Sequence, residues 1–147
     1  MSLLYADTSA IVRAYFADEP DHDALRSMLL EGSEPVVSSE LARIELASAV
    51  SAARRARRLR GADSVLARFD ADCGSEGPIL LLRLHAEAVL STAYRLVGNH
   101  RLRTLDAIHL AVALEDAKAL AGDDPLVFVT RDSDQAAAAR TLGLSVR

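Results

Sequence analysis

Four acidic residues stand at positions where carboxylates do chemistry. Asp7 directly follows the apolar run Leu3-Leu4-Tyr5-Ala6. Asp132 lies three residues beyond Val129, the end of the run Leu126-Val127-Phe128-Val129, and Asp134 is close behind it. Short apolar runs bounded by turn residues read as buried strands. In open α/β sheets, reactive groups gather in the crevice outside the carboxyl ends of the strands. If these two strands are neighbours, Asp7 and Asp132 share one crevice. Glu45 and Asp106 sit instead within helical stretches. Glu45 is four residues after Leu41 and four before Ala49, so it stacks on a face that is otherwise apolar or small. Asp106 is in the first turn after Thr104, and its face continues through Leu110 and Ala113 toward packing rather than water.

Each acid alone has an ordinary structural reading. Asp7 can cap a helix, and Asp132 with Asp134 can cap another. Asp106 can be a first-turn acid favoured by the helix dipole, by about 0.3–1 kcal/mol. Glu45 can be a boundary residue. The set points elsewhere. Carboxylates converging on one crevice raise each other's pKa and destabilise the fold unless a cation joins them. Mg²⁺ or Mn²⁺ suits such a site, because both prefer oxygen ligands and are held by a few carboxylates with waters and substrate phosphates. The chemistry that follows is attack of an activated water on a phosphodiester. Zinc fits poorly, since no Cys or His group has ligand spacing.

The elements that must position these acids follow from the apolar pattern. Strands are expected over 3–6, 35–37, 79–82 and 126–129, with an edge strand at 144–146. Helices are expected over 10–16 (capped by Thr8-Ser9), 21–31, 62–72, 85–97, 104–120 (capped by Thr104) and 132–142. A further long helix, capped by Ser38-Ser39, carries Leu41, Ile44 and Val50, reaches the arginine run and ends at Gly61. The alternation of strands and helices implies an α/β fold: a three-layer sandwich with a mainly parallel central sheet and helices on both faces. The chain has 147 residues, half of them hydrophobic, which suits one domain over 1–147 with a core that needs no staple.

Cys73 is the one cysteine, so no intrachain disulfide forms, and a reducing cytoplasm is the expected location. Cys73 has no second cysteine nearby and is read as a bystander. No basic, apolar leader opens the chain, and no apolar run approaches the ~18 residues of a membrane span. A net charge of −4 does not announce a nucleic-acid binder, but five arginines crowd into residues 54–60. Arg54, Arg57 and Arg58 are candidates to guide nucleic-acid phosphates, with Arg101 and Arg103 second. The other reading of the run is a solvated helix end whose cations complement the dipole.

Four segments together resemble a known family. Leu4-Tyr5-Ala6-Asp7-Thr8-Ser9-Ala10 resembles the opening of PIN domains. The segment from Ser38 to Leu46 resembles their second acidic motif with Glu45 as its acid, and the segment from Leu102 to Ala111 the third, with Asp106. Val129-Thr130-Arg131-Asp132-Ser133-Asp134 resembles the fourth. The run Asp106-Ala107-Ile108-His109-Leu110-Ala111 is similar to the VapC-type toxins of toxin–antitoxin pairs. The resemblance implies a PIN-like fold and an endoribonuclease using Mg²⁺ or Mn²⁺, inhibited by a cognate VapB-type antitoxin and usually a homodimer. It implies that Asp7, Glu45, Asp106 and Asp132 are catalytic metal ligands, with Asp134 an accessory ligand. Thr8, Ser9 and Thr130 would orient the site by hydrogen bonding. Cleavage leaving a 5′-phosphate and a 3′-hydroxyl is likewise implied. Residues 61–78 carry no matching motif.

His109, three residues after Asp106, is expected to be a packed or hydrogen-bonded histidine rather than a ligand or general base. Tyr5, Tyr15 and Phe16 are expected in the core or a partner groove. Two other phosphate-handling folds fit poorly. A haloacid-dehalogenase-type phosphatase needs an acid where Ser9 stands, and a phosphorelay receiver needs a lysine after a late strand, whereas Lys118 lies within a helix. A catalytically silent interaction module on the same fold is the remaining alternative.

Overall fold

Short, largely apolar runs build the sheet. The computed structural model describes all of residues 1–147. Its strands are β1 (Leu3–Ala6), β2 (Val36–Ser39), β3 (Ile79–Leu82), β4 (Leu126–Val129) and the short β5 (Ser145–Val146). They pair in parallel in the order β3-β2-β1-β4-β5. The helices are α1 (Thr8–Tyr15), α2 (His22–Leu29), α3 (Leu41–Arg55), α4 (Ala62–Asp72), α5 (Ala86–Asn99), α6 (Thr104–Val112), α7 (Lys118–Ala121) and α8 (Ser133–Thr141). A π-helical turn, Ala113–Ala117, joins α6 to α7 without a break.

Alternation along β1 sends Leu4 and Ala6 to one face and Leu3 and Tyr5 to the other. The first face meets α1 to α4 in a cluster of 18 buried residues, and the second meets α5, α6 and α8 in a cluster of 16. The two cores are similar in size, so the sheet is covered on both sides, and near-continuous apolar strands are what such a sheet requires.

Strand order decides where the site lies. From β1 the chain steps to β2 and β3 on one side, then crosses to β4 and β5 on the other. The turning point lies between β1 and β4, where Ala6 pairs with Val129. Asp7 leaves β1 there, its N–H donating to the Val129 carbonyl at 2.9 Å. Asp132 leaves β4 beside it. This is the crevice in which open parallel sheets hold their ligands.

Four helix boundaries differ from the sequence expectation. The capping position of α3 is Glu40, with no side-chain cap bond, not Ser38-Ser39. The cap of α1 is Asp7, not Thr8 or Ser9, and its side chain accepts from the Ser9 N–H. Helix α6 begins at Thr104, with Arg103 in the capping position. Helix α3 ends at Arg55, not at Gly61. There the Arg58 N–H reaches back to the Ala53 carbonyl, the Arg57 N–H reaches the Arg54 carbonyl, and Arg57 has φ 56°. This is a Schellman ending with arginine where glycine is usual, at roughly 1–3 kcal/mol of backbone strain. Ion pairs of Arg58 with Asp18 and Glu19, and Leu59 packed on the first core, hold the turn in place. Gly61, at φ 67°, starts α4 instead.

Candidate active site

One cleft of ≈ 310 Å³ opens at the crevice, and Asp7, Glu45, Asp106 and Asp132 all line it. Each arrives on a different element. Asp7 caps α1 and Asp132 caps α8, where it accepts from the Gln135 N–H at 2.8 Å. Glu45 comes from the second turn of α3, and in the turn just before that helix the Ser39 hydroxyl accepts from the Leu41 N–H. Asp106 comes from the first turn of α6. The capping reading of Asp7 and Asp132 and their place in the cleft are therefore both true.

A buried network sits behind the acids. Thr8 Oγ1 donates to Glu45 Oε1 at 2.9 Å and lies 3.1 Å from His109 Nε2. The same ring nitrogen contacts Glu45 Oε1, and His109 Nδ1 faces the Tyr5 hydroxyl at 2.8 Å. His109 is buried as expected, but its partners are residues of the site. Burial opposes a charge on its ring. The hydrogen bond to Glu45 and the fields of Asp7, Glu45 and Asp106 outweigh it, so His109 is held above its ordinary value. Burial, reinforced by Asp7, pushes the Tyr5 hydroxyl well above its usual range and keeps it neutral.

Gln135 joins three of the acids from the other side. Its Nε2 donates to Asp7 Oδ1 and to the Asp106 carbonyl, both at 3.1 Å, and its Oε1 accepts from Thr130 Oγ1 at 2.6 Å. With its N–H on Asp132, the fully buried Gln135 touches the anchor of every acid but Glu45. Thr130 also meets Ser9 Oγ at 3.2 Å and accepts from the Asp132 N–H.

On the solvent side, Arg103 bridges two acids, with Nε 3.1 Å from Asp106 Oδ2 and a terminal nitrogen 3.5 Å from Asp132 Oδ2. Burial raises the Asp106 carboxyl above its ordinary range. Arg103 pulls it down, while Asp132 and Asp7 add to the rise.

The donor set fits a hard divalent cation. The cleft offers carboxylate oxygens and no thiolate, and His109 is committed behind Glu45. The carboxylates do not close into a finished coordination sphere, for no three acidic or histidine groups converge on one point. Arg103 supplies positive charge at Asp106 and Asp132 in its place.

Other residues named from the sequence fall outside the cleft. Asp134 is half-exposed, 3.8 Å from Arg101, and does not line it. Arg54 pairs with Asp63 at 2.9 Å, Arg58 holds Asp18 and Glu19, and Arg57 is exposed in the strained turn. None of the three lines the cleft, although Glu19, held by Arg58, does. Arg13, Glu19 and Gln135 were not singled out. Arg13 is four residues after Ser9, a spacing that puts both on one face of α1. Gln135 is three residues after Asp132, the spacing of a capping box. Its side chain turns to Asp7 instead of back to the cap, which local spacing does not disclose.

The PIN domain family model matches residues 4–141. The chain belongs to the PIN-domain family. Among curated relatives it is 39% identical over 150 residues to Ribonuclease VapC46 of Mycobacterium tuberculosis, covering 99% of this chain and 97% of that protein. It is 34% identical over 146 residues to Ribonuclease VapC35 of the same organism, covering 98% and 95%. Solved PIN-fold structures share its architecture at low identity. Mycobacterium tuberculosis VapC20, described as a Sarcin-Ricin loop cleaving toxin, superposes with a TM-score of 0.63 at 17% identity, over 92% of this chain and 94% of that one. VapBC2 from Rickettsia felis, solved bound to a DNA fragment from its promoter, gives 0.62 at 11% identity, over 99% and 97%. No helix of this PIN-domain chain is long and apolar enough to cross a membrane.

Proposed function

We propose that this chain is a divalent-metal-dependent endoribonuclease, the toxin of a VapBC-type pair. The observation that carries the reading is the gathering of Asp7, Glu45, Asp106 and Asp132 from four elements into one cleft at the β1/β4 crevice. Near-full-length identity to ribonucleases named VapC supports it. Asp7, Glu45, Asp106 and Asp132 would hold Mg²⁺ or Mn²⁺, which when bound supplies an activated water and stabilises charge on the phosphodiester.

The chain's own residues orient that site. Ser9 N–H and Gln135 hold both oxygens of Asp7. Thr8 and His109 both hold Glu45 by Oε1, and its other oxygen enters no hydrogen bond. Arg103 and Arg13, at the cleft wall, are placed to meet substrate phosphate oxygens. A VapB-type antitoxin is the expected inhibitor, supported by neighbours solved as VapBC complexes. A homodimer belongs to the same reading and is checked by light scattering on a sizing column.

The test is cleavage of RNA by purified protein freed of any partner. Mg²⁺ or Mn²⁺ is expected to be required, EDTA to abolish cleavage, and Asp7→Asn to lower it at least 100-fold. Asparagine caps helices as well as aspartate, so the Ser9 N–H keeps an acceptor, and circular dichroism checks that the variant is folded. Metal-independent cleavage, or full activity in Asp7→Asn, would overturn the reading.

A further inference from the structure

A second concave site lies at the other end of α1. Three arginines face it from two helices and the turn before α4: Arg26 of α2, Arg60, and Arg68 of α4, with His22, Ser64 and Tyr15 around them. The hollow measures ≈ 340 Å³, and no acidic residue lines it. In a chain of net charge −4, three guanidinium groups around one hollow set up a local field opposite to that of the whole molecule.

The nearby acids leave this charge only partly matched. Arg26 uses Nε on Glu31 at 2.8 Å, so its two terminal nitrogens remain for a ligand. Arg68 stands 3.9 Å from Asp72, whose carboxylate also accepts from the Tyr15 hydroxyl. Arg60 is exposed and enters no ion pair. His22 is anchored through Nδ1 to the Arg13 carbonyl at 2.7 Å, which leaves Nε2 unengaged. No side chain caps the start of α4, which opens into the same hollow at Gly61. Planar forks that match phosphate oxygens, set in a concave wall, are suited to phosphate.

The position relative to the carboxylates selects the kind of phosphate. Helix α1 runs from one site to the other, with Thr8 at the cleft and Tyr15 at the hollow. At 1.5 Å per residue this is roughly 10 Å, or about three steps of a stacked nucleic-acid strand at ~3.4 Å each. Resting on the ribonuclease reading of the cleft, we propose that the hollow of Arg26, Arg60 and Arg68 is a distal subsite that grips an RNA backbone phosphate a few nucleotides from the scissile bond. It carries no sequence readout of its own, because phosphate contacts fix register and not base identity. It differs from the arginine candidates at 54, 57 and 58, two of which are tied into ion pairs with Asp63, Asp18 and Glu19.

Substrate length makes this testable. A di- or trinucleotide reaches the cleft alone, whereas a 12-nucleotide RNA spans both sites. In Arg26→Ala/Arg60→Ala/Arg68→Ala, KM for the longer RNA is expected to rise at least tenfold with kcat little changed, and KM for the short one to stay within twofold. In EDTA, the salt slope of binding to the fluorescein-labelled 12-mer is expected to flatten by about 0.7, the share of one single-strand phosphate. Arg60→Glu alone is expected to move KM the same way and guards against misfolding of the triple variant. Arg95→Ala/Arg140→Ala/Arg147→Ala, which removes equal charge elsewhere, is expected to leave KM of both RNAs within twofold. Metal-dependent cleavage with an unchanged 12-mer KM in the triple variant would overturn the subsite alone. An equal rise for both lengths would also overturn it. Absence of metal-dependent cleavage in the unaltered protein would overturn the ribonuclease reading and the subsite with it.

Discussion

Replacing Gln135 with leucine tests whether a buried amide positions the acids. Leucine matches the volume closely and keeps the main-chain bond to Asp132, but it donates nothing to Asp7 Oδ1 or to the Asp106 carbonyl. It also strands the donor of Thr130, which still has Ser9 as an alternative partner. A buried polar group left unsatisfied costs roughly 1–3 kcal/mol. Asp7 Oδ1 loses its partner outright, whereas the Asp106 carbonyl keeps the Leu110 N–H within α6, so the loss is about 1–3 kcal/mol. For a chain of this length each kcal/mol moves Tm by roughly 2–4 °C, giving a drop of about 2–12 °C. The functional effect is separate. Loss of a residue that orients metal ligands costs typically 10–100-fold in metal affinity. Titration calorimetry with Mn²⁺, beside a thermal melt followed by circular dichroism, reads both effects. Leu25→Ala is the control. It lies in the other core and costs about 2–5 kcal/mol, so it lowers Tm without touching Mn²⁺ affinity. A folded Gln135→Leu protein that binds Mn²⁺ within twofold of the unaltered chain would refute the positioning argument.

Arg103→Ala removes the guanidinium that shares Asp106 and Asp132, so Mn²⁺ binding is expected to tighten several-fold while RNA cleavage falls; weaker Mn²⁺ binding would count against the competition. Adding Mn²⁺ to EDTA-treated protein is expected to raise Tm by about 2.7 kcal/mol worth of stability at 100 times Kd, and Asp7→Asn is expected to blunt that rise. Burial, with Asp72 and Asp70 nearby, pushes the Cys73 thiol up to about 11. A raised thiol pKa means less thiolate at neutral pH, on the order of 100-fold less than an ordinary cysteine. Iodoacetamide labelling at pH 7.5 should therefore be slow, and should speed up as pH rises toward 11. Fast labelling at pH 7.5 would refute the burial effect.

Much of the site was legible locally. Asp7 and Asp132 each follow a four-residue apolar run, and Glu45 and Asp106 each stand on a helix face shared with small or apolar residues. Those are statements about one element at a time, and periodicity carries them. The ending of α3 was not legible, because Arg57 adopts a conformation usually left to glycine and is held there by contacts with Asp18, Glu19 and the core, far away in sequence.

The sequence by itself determined the order of strands and helices, the faces they bury and four acids that stand apart from ordinary surface positions. Only the tertiary structure decided that β1 and β4 are neighbours, which sets Asp7 beside Asp132 across 124 intervening positions. It alone turned Gln135 toward Asp7, bridged Asp106 and Asp132 with Arg103, and drew Arg26, Arg60 and Arg68 around one hollow. The physical reason is range. A side chain's direction follows from the backbone within a turn or a pleat, whereas its hydrogen-bond and charge partners depend on which elements pack together, and that is set by burying both faces of the whole sheet.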